Sequence, residues 1–94
     1  MEQPLRGKRF IVRYGQGGHE FEHCVNIEGW PGIFGGNVAI PQDVATMLSE
    51  IIGAEVMNRG SRLEIMIPED EQDRIILALA AMGGTYDPTG RFLW

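Results

Sequence analysis

One short pattern occurs twice in the chain and constrains its fold more than any other feature. Each copy has Ile-Pro, then two polar residues of which at least one is acidic, then an apolar-periodic segment that ends at glycine. The copies begin at Ile40-Pro41-Gln42-Asp43 and at Ile67-Pro68-Glu69-Asp70. Proline suits the start of a helix, carboxylates favour its first turn, and glycine favours the left-handed conformation that ends it. The repeat therefore predicts two helices of similar design.

The first helix is predicted over residues 42–52. Its apolar residues fall at i, i+3, i+4, i+7 and i+8, which places them on one stripe. They are Val44, Met47, Leu48, Ile51 and Ile52. Gly53 then ends the helix. The spacing predicts an amphipathic helix with one face in the core.

The second helix is predicted to begin at an acidic run and to end at Gly83-Gly84. The run is Glu69, Asp70, Glu71 and Asp73. Carboxylates in a first turn are favoured by the helix dipole, so the simplest interpretation of the run is a solvated helix start. The buried stripe is Ile75, Ile76, Leu79 and Met82, and Leu77, Ala78, Ala80 and Ala81 widen the apolar surface. That width predicts a helix packed on two sides.

Segments with alternating apolar residues predict a β-hairpin on each side of the first helix. Residues 8–28 contain two such segments around Gly15-Gln16-Gly17-Gly18, and residues 54–67 contain two more around Asn58-Arg59-Gly60-Ser61. Glycine and asparagine tolerate the positive φ that tight hairpin turns require. A third hairpin is predicted over residues 84–94, around the turn Asp87-Pro88-Thr89-Gly90.

This order of elements predicts an α+β fold. Two helices would pack on one face of an antiparallel sheet, in a split β-α-β (ferredoxin-like) core with an extra N-terminal hairpin. At 94 residues the chain is long enough for one modest core. We therefore expect a single domain over residues 1–94, with a flexible tail at 1–7, the N-terminal hairpin at 8–28, the core at 37–87 and the C-terminal hairpin at 84–94.

Charge and cysteine content limit the classes of function. The net charge of −5 argues against nucleic-acid binding, which needs a basic surface, and favours a partner with a basic surface. The lone Cys24 cannot form an internal disulfide and fits a reducing cytosol. The longest apolar run, residues 75–82, is too short to cross a bilayer. We expect a soluble cytoplasmic protein without a membrane partner, and exposed sheet edges make self-association, such as a homodimer, a further expectation.

The string His19-Glu20-Phe21-Glu22-His23 matches the H-E-x-x-H motif of zinc peptidases. That motif works on a helix, where the two histidines share one metal ion. Here glycines precede it and the flanking residues alternate with period two, which predicts a strand. On a strand the two histidines would be roughly 13 Å apart, too far to bind one zinc ion. We therefore treat the match as coincidence and expect a half-buried His23.

The residues give little support for catalysis. Cys24 and His23 would point to opposite faces of a strand, so they do not form a local nucleophile and base. The carboxylates of the acidic run lie at a predicted exposed helix start, which gives no basis for general acid–base catalysis. We expect a protein that is not an enzyme and that carries no metal or cofactor.

The irregular stretch 29–37 is the strongest candidate for a contact surface. It combines four glycines and a proline with three large apolar side chains, Trp30, Ile33 and Phe34. These side chains either fold back onto the core or project as an adaptable binding surface. The predicted interaction residues are Trp30, Ile33, Phe34, Glu69, Asp70, Glu71 and Asp73.

Two hypotheses of function follow. The first is a non-enzymatic protein-binding module, an inhibitor or regulator that docks on a larger protein; in size and charge the chain is similar to small acidic phage-encoded inhibitors such as anti-CRISPR proteins. The second is a small-ligand-binding regulatory domain. Residues 25–34, Val-Asn-Ile-Glu-Gly-Trp-Pro-Gly-Ile-Phe, resemble the strand and Pro-Gly-aliphatic turn of amino-acid-binding ACT domains. That resemblance implies a split β-α-β fold and a ligand pocket at the 29–37 loop.

Overall fold

The computed structural model describes residues 3–15, 23–30 and 38–90. Within them the chain forms five strands and two helices, which confirms an α+β fold. The strands are β1 (Arg9–Tyr14), β2 (His23–Ile27), β3 (Val56–Asn58), β4 (Leu63–Ile65) and β5 (Thr85–Tyr86). The helices are α1 (Gln42–Ile52) and α2 (Gln72–Ala81), and a 3-10 turn (Glu69–Glu71) leads into α2.

The five strands form one mixed sheet in the order β3-β4-β2-β1-β5. β1 pairs antiparallel with β2, β2 with β4 and β4 with β3, but β5 pairs parallel with β1. The prediction of a purely antiparallel sheet was wrong. The ferredoxin-like core and the extra N-terminal hairpin are not confirmed either, because β1 lies inside the sheet between β2 and β5. The alternation of apolar and polar residues along β1 predicts which face of the strand is buried, but it does not predict which strands lie beside it.

The helix α1 has the predicted limits. Val44, Ala45, Leu48 and Ile52 are buried, and Gly53 ends the helix with a φ of 68°. Pro41 is not the first helical residue, as predicted, but lies just before the helix. Its backbone is extended, with ψ at 141°, and its carbonyl accepts a hydrogen bond from the Val44 N–H at 3.0 Å. Proline favours such an extended junction because its φ is fixed near the value found here, −62°.

The three inner strands, β4, β2 and β1, carry the core on the face that meets both helices. Phe10, Val12, Val25 and Ile27 from β1 and β2 lie in one cluster with residues of α1 and α2. Leu5 belongs to the same cluster, is completely buried, and donates its backbone N–H to the carbonyl of Met82 at 3.0 Å. Residues 3–7 are therefore anchored beside the end of α2, unlike the loose tail predicted for residues 1–7.

The other face of the sheet carries a buried carboxylate together with the buried Ile11 and Cys24. Glu64 of β4 is 4 % exposed and stands opposite Cys24 of β2. Its two oxygens accept hydrogen bonds from the Nε atoms of Arg59 and Arg62, each at 2.9 Å. Burial raises the pKa of Glu64, but these two hydrogen bonds outweigh it, so the pKa lies below its usual value. The ion pairs thus compensate a charge that the fold removes from water.

Candidate interaction surfaces

Trp30 lies at the end of the turn that follows β2 and is half-buried against the core. The ammonium of Lys8 stands 4.4 Å from the centre of its ring, a cation–π contact. Gly29, with a φ of 89°, leaves room for this contact, since a Cβ there would meet the Lys8 Nζ at 2.5 Å. Ile33 and Phe34, predicted to act with Trp30, fall outside the described residues, so their part of the prediction stays a prediction.

A groove opens between Trp30 and the beginning of α1. Its volume is about 300 Å³, at the lower end of the range for small-molecule sites. Its walls are Pro4, Trp30, Pro41, Asp43, Val44 and Met47. We call this the Trp30 groove. Apart from Trp30, sequence reasoning missed these residues, because Val44 and Met47 were assigned to the core stripe of α1 and nothing in the sequence showed that Pro4 lies next to them.

The acidic run divides into paired and unpaired carboxylates. Glu71 forms an ion pair with Arg74, which also donates a hydrogen bond to the backbone carbonyl of Ile52 at the end of α1. That arginine thus joins the start of α2 to the end of α1 and is favourably placed against the negative end of the α1 dipole. Glu69, Asp70 and Asp73 are exposed, and none of them forms an ion pair with another described residue.

One side of α2 faces solvent although it is largely apolar. Leu77 is 69 % exposed, and Ala80 and Ala81, one turn later, are exposed too. Asp73 lies one turn before Leu77 on the same side, and Asp70 precedes it in the 3-10 turn. We call Asp70, Asp73, Leu77, Ala80 and Ala81 the outer face of α2. The sequence predicted packing on two sides of this helix, but in the described part of the chain the side that carries Leu77 is exposed.

Trp30 and the acidic run, two parts of the predicted interaction site, do not come together. The Trp30 groove lies at the first turn of α1, whereas Arg74 places the acidic run beside the last turn of α1. From residue 41 to residue 52 a helix rises roughly 16 Å at 1.5 Å per residue. The structure therefore presents two separate candidate surfaces.

Among the described residues, His23 and Cys24 lie on opposite faces of β2. His23 begins β2 and is fully buried on the core side, where its ring meets the edge of Tyr14 with centroids 5.0 Å apart. It is more buried than predicted, and the other residues of the H-E-x-x-H string lie outside the described residues. Cys24 points to the opposite face, and its burial raises the pKa of the thiol.

Neither a metal cluster nor a membrane helix is found in the part of the chain that the structure describes. No three His, Cys, Asp or Glu side chains there are grouped so that they could hold a metal ion. Neither described helix has the length and apolar character needed to cross a bilayer.

The chain was compared with known proteins in three ways. A scan against protein-family models, a search of curated proteins and a search of solved structures each found no match. Inference about function therefore depends on the two surfaces described above.

Proposed function

We propose that this chain is a non-enzymatic protein-binding domain that docks on a larger protein through the outer face of α2. The exposure of Leu77 carries this proposal. A large aliphatic side chain that is 69 % exposed, followed by two exposed alanines, leaves an apolar strip on a helix that is otherwise packed. Such a strip stabilises a complex when a partner covers it.

The charges beside the strip favour a partner with a basic surface. Asp70 and Asp73 lie next to Leu77 without an ion pair to any described residue, and the whole chain carries a net charge of −5. Complementary charge speeds association and aligns the two surfaces, while the apolar strip supplies affinity. A partner groove lined by arginine or lysine with an apolar floor matches this face. In that role the chain would act in the cytoplasm as an inhibitor or regulator of the protein it covers.

The finer description of the fold is also a proposal. Without β1, the sheet order becomes β3-β4-β2-β5, with β4 between the two strands that α1 connects. That is the arrangement of a split β-α-β unit. We propose that the fold is such a unit with β1 inserted at the position between β2 and β5.

A pull-down with matched variants tests the docking proposal. The bait series is wild type, Leu77→Ala and the double variant Asp70→Asn/Asp73→Asn. The controls make the same chemical changes elsewhere: Ile51→Ala, at a residue 39 % exposed on α1, and Glu50→Gln/Glu55→Gln. Burying about two-thirds of a leucine side chain contributes roughly 1–2 kcal/mol, so Leu77→Ala should weaken binding about five- to thirtyfold.

Two results distinguish docking on this face from other contacts. A partner that is retained by both controls, lost with both outer-face variants and released by added salt supports the proposal. A partner that all five baits retain equally binds elsewhere on the chain and contradicts the proposal. The proposal is also contradicted if no partner is lost with Leu77→Ala.

A small-ligand-binding role is a second candidate, because the structure has a groove at Trp30. A pocket at the loop after β2 is the feature that the resemblance to ACT domains implies. The groove has a volume of about 300 Å³, and its walls are mostly apolar. Its test is the titration described next.

A further inference from the structure

The chemistry of the Trp30 groove points to a particular class of ligand, an inference that rests on the second candidate function. Among the described residues, six line the groove, and five of them are apolar or aromatic: Pro4, Trp30, Pro41, Val44 and Met47. The sixth is Asp43, whose side chain belongs to an exposed residue in the first turn of α1. A groove with apolar walls, an indole and one carboxylate is complementary to a ligand with an apolar body and one positive charge.

The indole of Trp30 already contacts a cation. Lys8 Nζ lies 4.4 Å from the ring centre, yet Lys8 does not line the groove. Both faces of an aromatic ring carry negative electrostatic potential, so the face of the indole opposite Lys8 is attractive to a second cation.

We propose that the Trp30 groove binds a small organic cation, a quaternary ammonium whose N-methyl groups form its apolar part. The cation lies over the indole of Trp30, its charge faces the carboxylate of Asp43, and its apolar part contacts Val44 and Met47. An anion would be repelled by Asp43. A neutral molecule of the same shape would gain the apolar contact but neither of the two electrostatic ones.

The test is a titration followed by NMR of the full-length chain. The probes are choline and 3,3-dimethyl-1-butanol, which have the same shape and differ in charge because carbon replaces the ammonium nitrogen. The signals followed are the indole N–H of Trp30 and the backbone amides of Val44 and Met47. A Trp94→Phe variant assigns the Trp30 indole signal, since the chain has two tryptophans.

Choline should shift these signals and bind at least about two- to fivefold more tightly than the neutral alcohol, the factor that one exposed cation–π contact supplies. The Asp43→Asn variant should bind choline more weakly and should bind the neutral alcohol with unchanged affinity. The Lys8→Met variant should bind choline more tightly, because it removes a positive charge that contacts the same indole ring. The Glu55→Gln variant removes the same charge at an exposed residue that does not line the groove. It should bind both ligands with unchanged affinity.

The outcomes distinguish a failure of the cation proposal from a failure of the ligand-binding function. Equal binding of both probes at these signals would overturn the cation proposal and keep the groove as an apolar ligand site. A Lys8→Met variant that binds choline more weakly would also overturn it. If neither probe moves the signals, the cation proposal fails. If a panel of small anions and neutral amino-acid derivatives leaves them unmoved as well, the second candidate function fails with it.

Discussion

Removing both arginines from Glu64 should cost far more stability than the sum of the two single removals. The side chains of Arg59 and Arg62 are 43 % and 42 % exposed, whereas the Glu64 side chain is 5 % exposed. In Arg59→Met or Arg62→Met, one hydrogen-bonded guanidinium still compensates the carboxylate, so the expected loss is about 1 kcal/mol. In the double variant the carboxylate is buried without its partners, and the expected loss is about 3–5 kcal/mol. The coupling between the two changes is thus roughly 1–3 kcal/mol.

The assay is urea unfolding of the two single variants, the double variant, and the double variant combined with Glu64→Gln. Methionine keeps much of the apolar stem of arginine, so the change isolates the charged group. Glu64→Gln removes the buried charge and should restore more than half of the stability that the double variant lost. Additive losses, or no recovery in the triple variant, would refute the view that Glu64 is held by its two arginines.

The contribution of Glu64 to the pH dependence of stability should have opposite signs in wild type and in the double variant. In wild type the pKa of Glu64 is lowered in the folded state, so its contribution is present above the unfolded carboxyl pKa, about 4.3, and is lost as the pH falls through the folded value. Without the two arginines, burial alone raises the folded pKa above the unfolded one. Relative to the triple variant, the double variant should then gain stability as the pH falls from neutral towards 4. A wild-type-like slope in the double variant would contradict this.

Two further predictions test the packing around α2. Gly84→Ala should destabilise by about 1–3 kcal/mol, because its Cβ would lie 2.8 Å from the ring of the buried Phe10; Gly53→Ala, where open space leaves only the cost of a positive φ, should lose no more than about 1–2 kcal/mol. A loss below about 0.5 kcal/mol for Gly84→Ala, measured by thermal unfolding, would refute the close approach at Phe10. Leu5→Ala should cost about 2–5 kcal/mol because its side chain is fully buried. A loss below 0.5 kcal/mol, of the order of a surface change, would mean that the N-terminal segment is not docked as described.

Local chemistry explains what the sequence could predict of this fold. The limits of α1 follow from its five apolar residues at helical spacing and from Gly53, all within one segment. The turn between β3 and β4 follows from Asn58 and Gly60: the Asn58 side chain accepts a hydrogen bond from the Gly60 N–H at 2.8 Å, and Gly60 has a φ of 90°. Such features depend only on near neighbours in the chain.

The features that sequence reasoning missed depend on distant pairs. The parallel pairing of β1 with β5 and the anchoring of Leu5 at Met82 join the two ends of the chain, and neither leaves a local pattern. The Trp30 groove is missed for the same reason, since Pro4 and Trp30 meet α1 only in the folded state. Leu77 and Ala80 look like core residues in a periodic pattern, and their exposure becomes visible only when the neighbours of α2 are known.

The pairing of β1 with β5 also has a consequence for synthesis on the ribosome. β5 pairs with β1 at Arg9 and Phe10, so this part of the second edge of β1 stays uncovered until residues 85 and 86 have been made. Closing so long a loop costs chain entropy, and such distant pairings slow folding. Until then β1 offers an open hydrogen-bonding edge on a strand that already carries Phe10 and Val12. A nascent chain stalled before residue 85 should therefore be a better target for chaperones, and more prone to aggregate, than the finished protein.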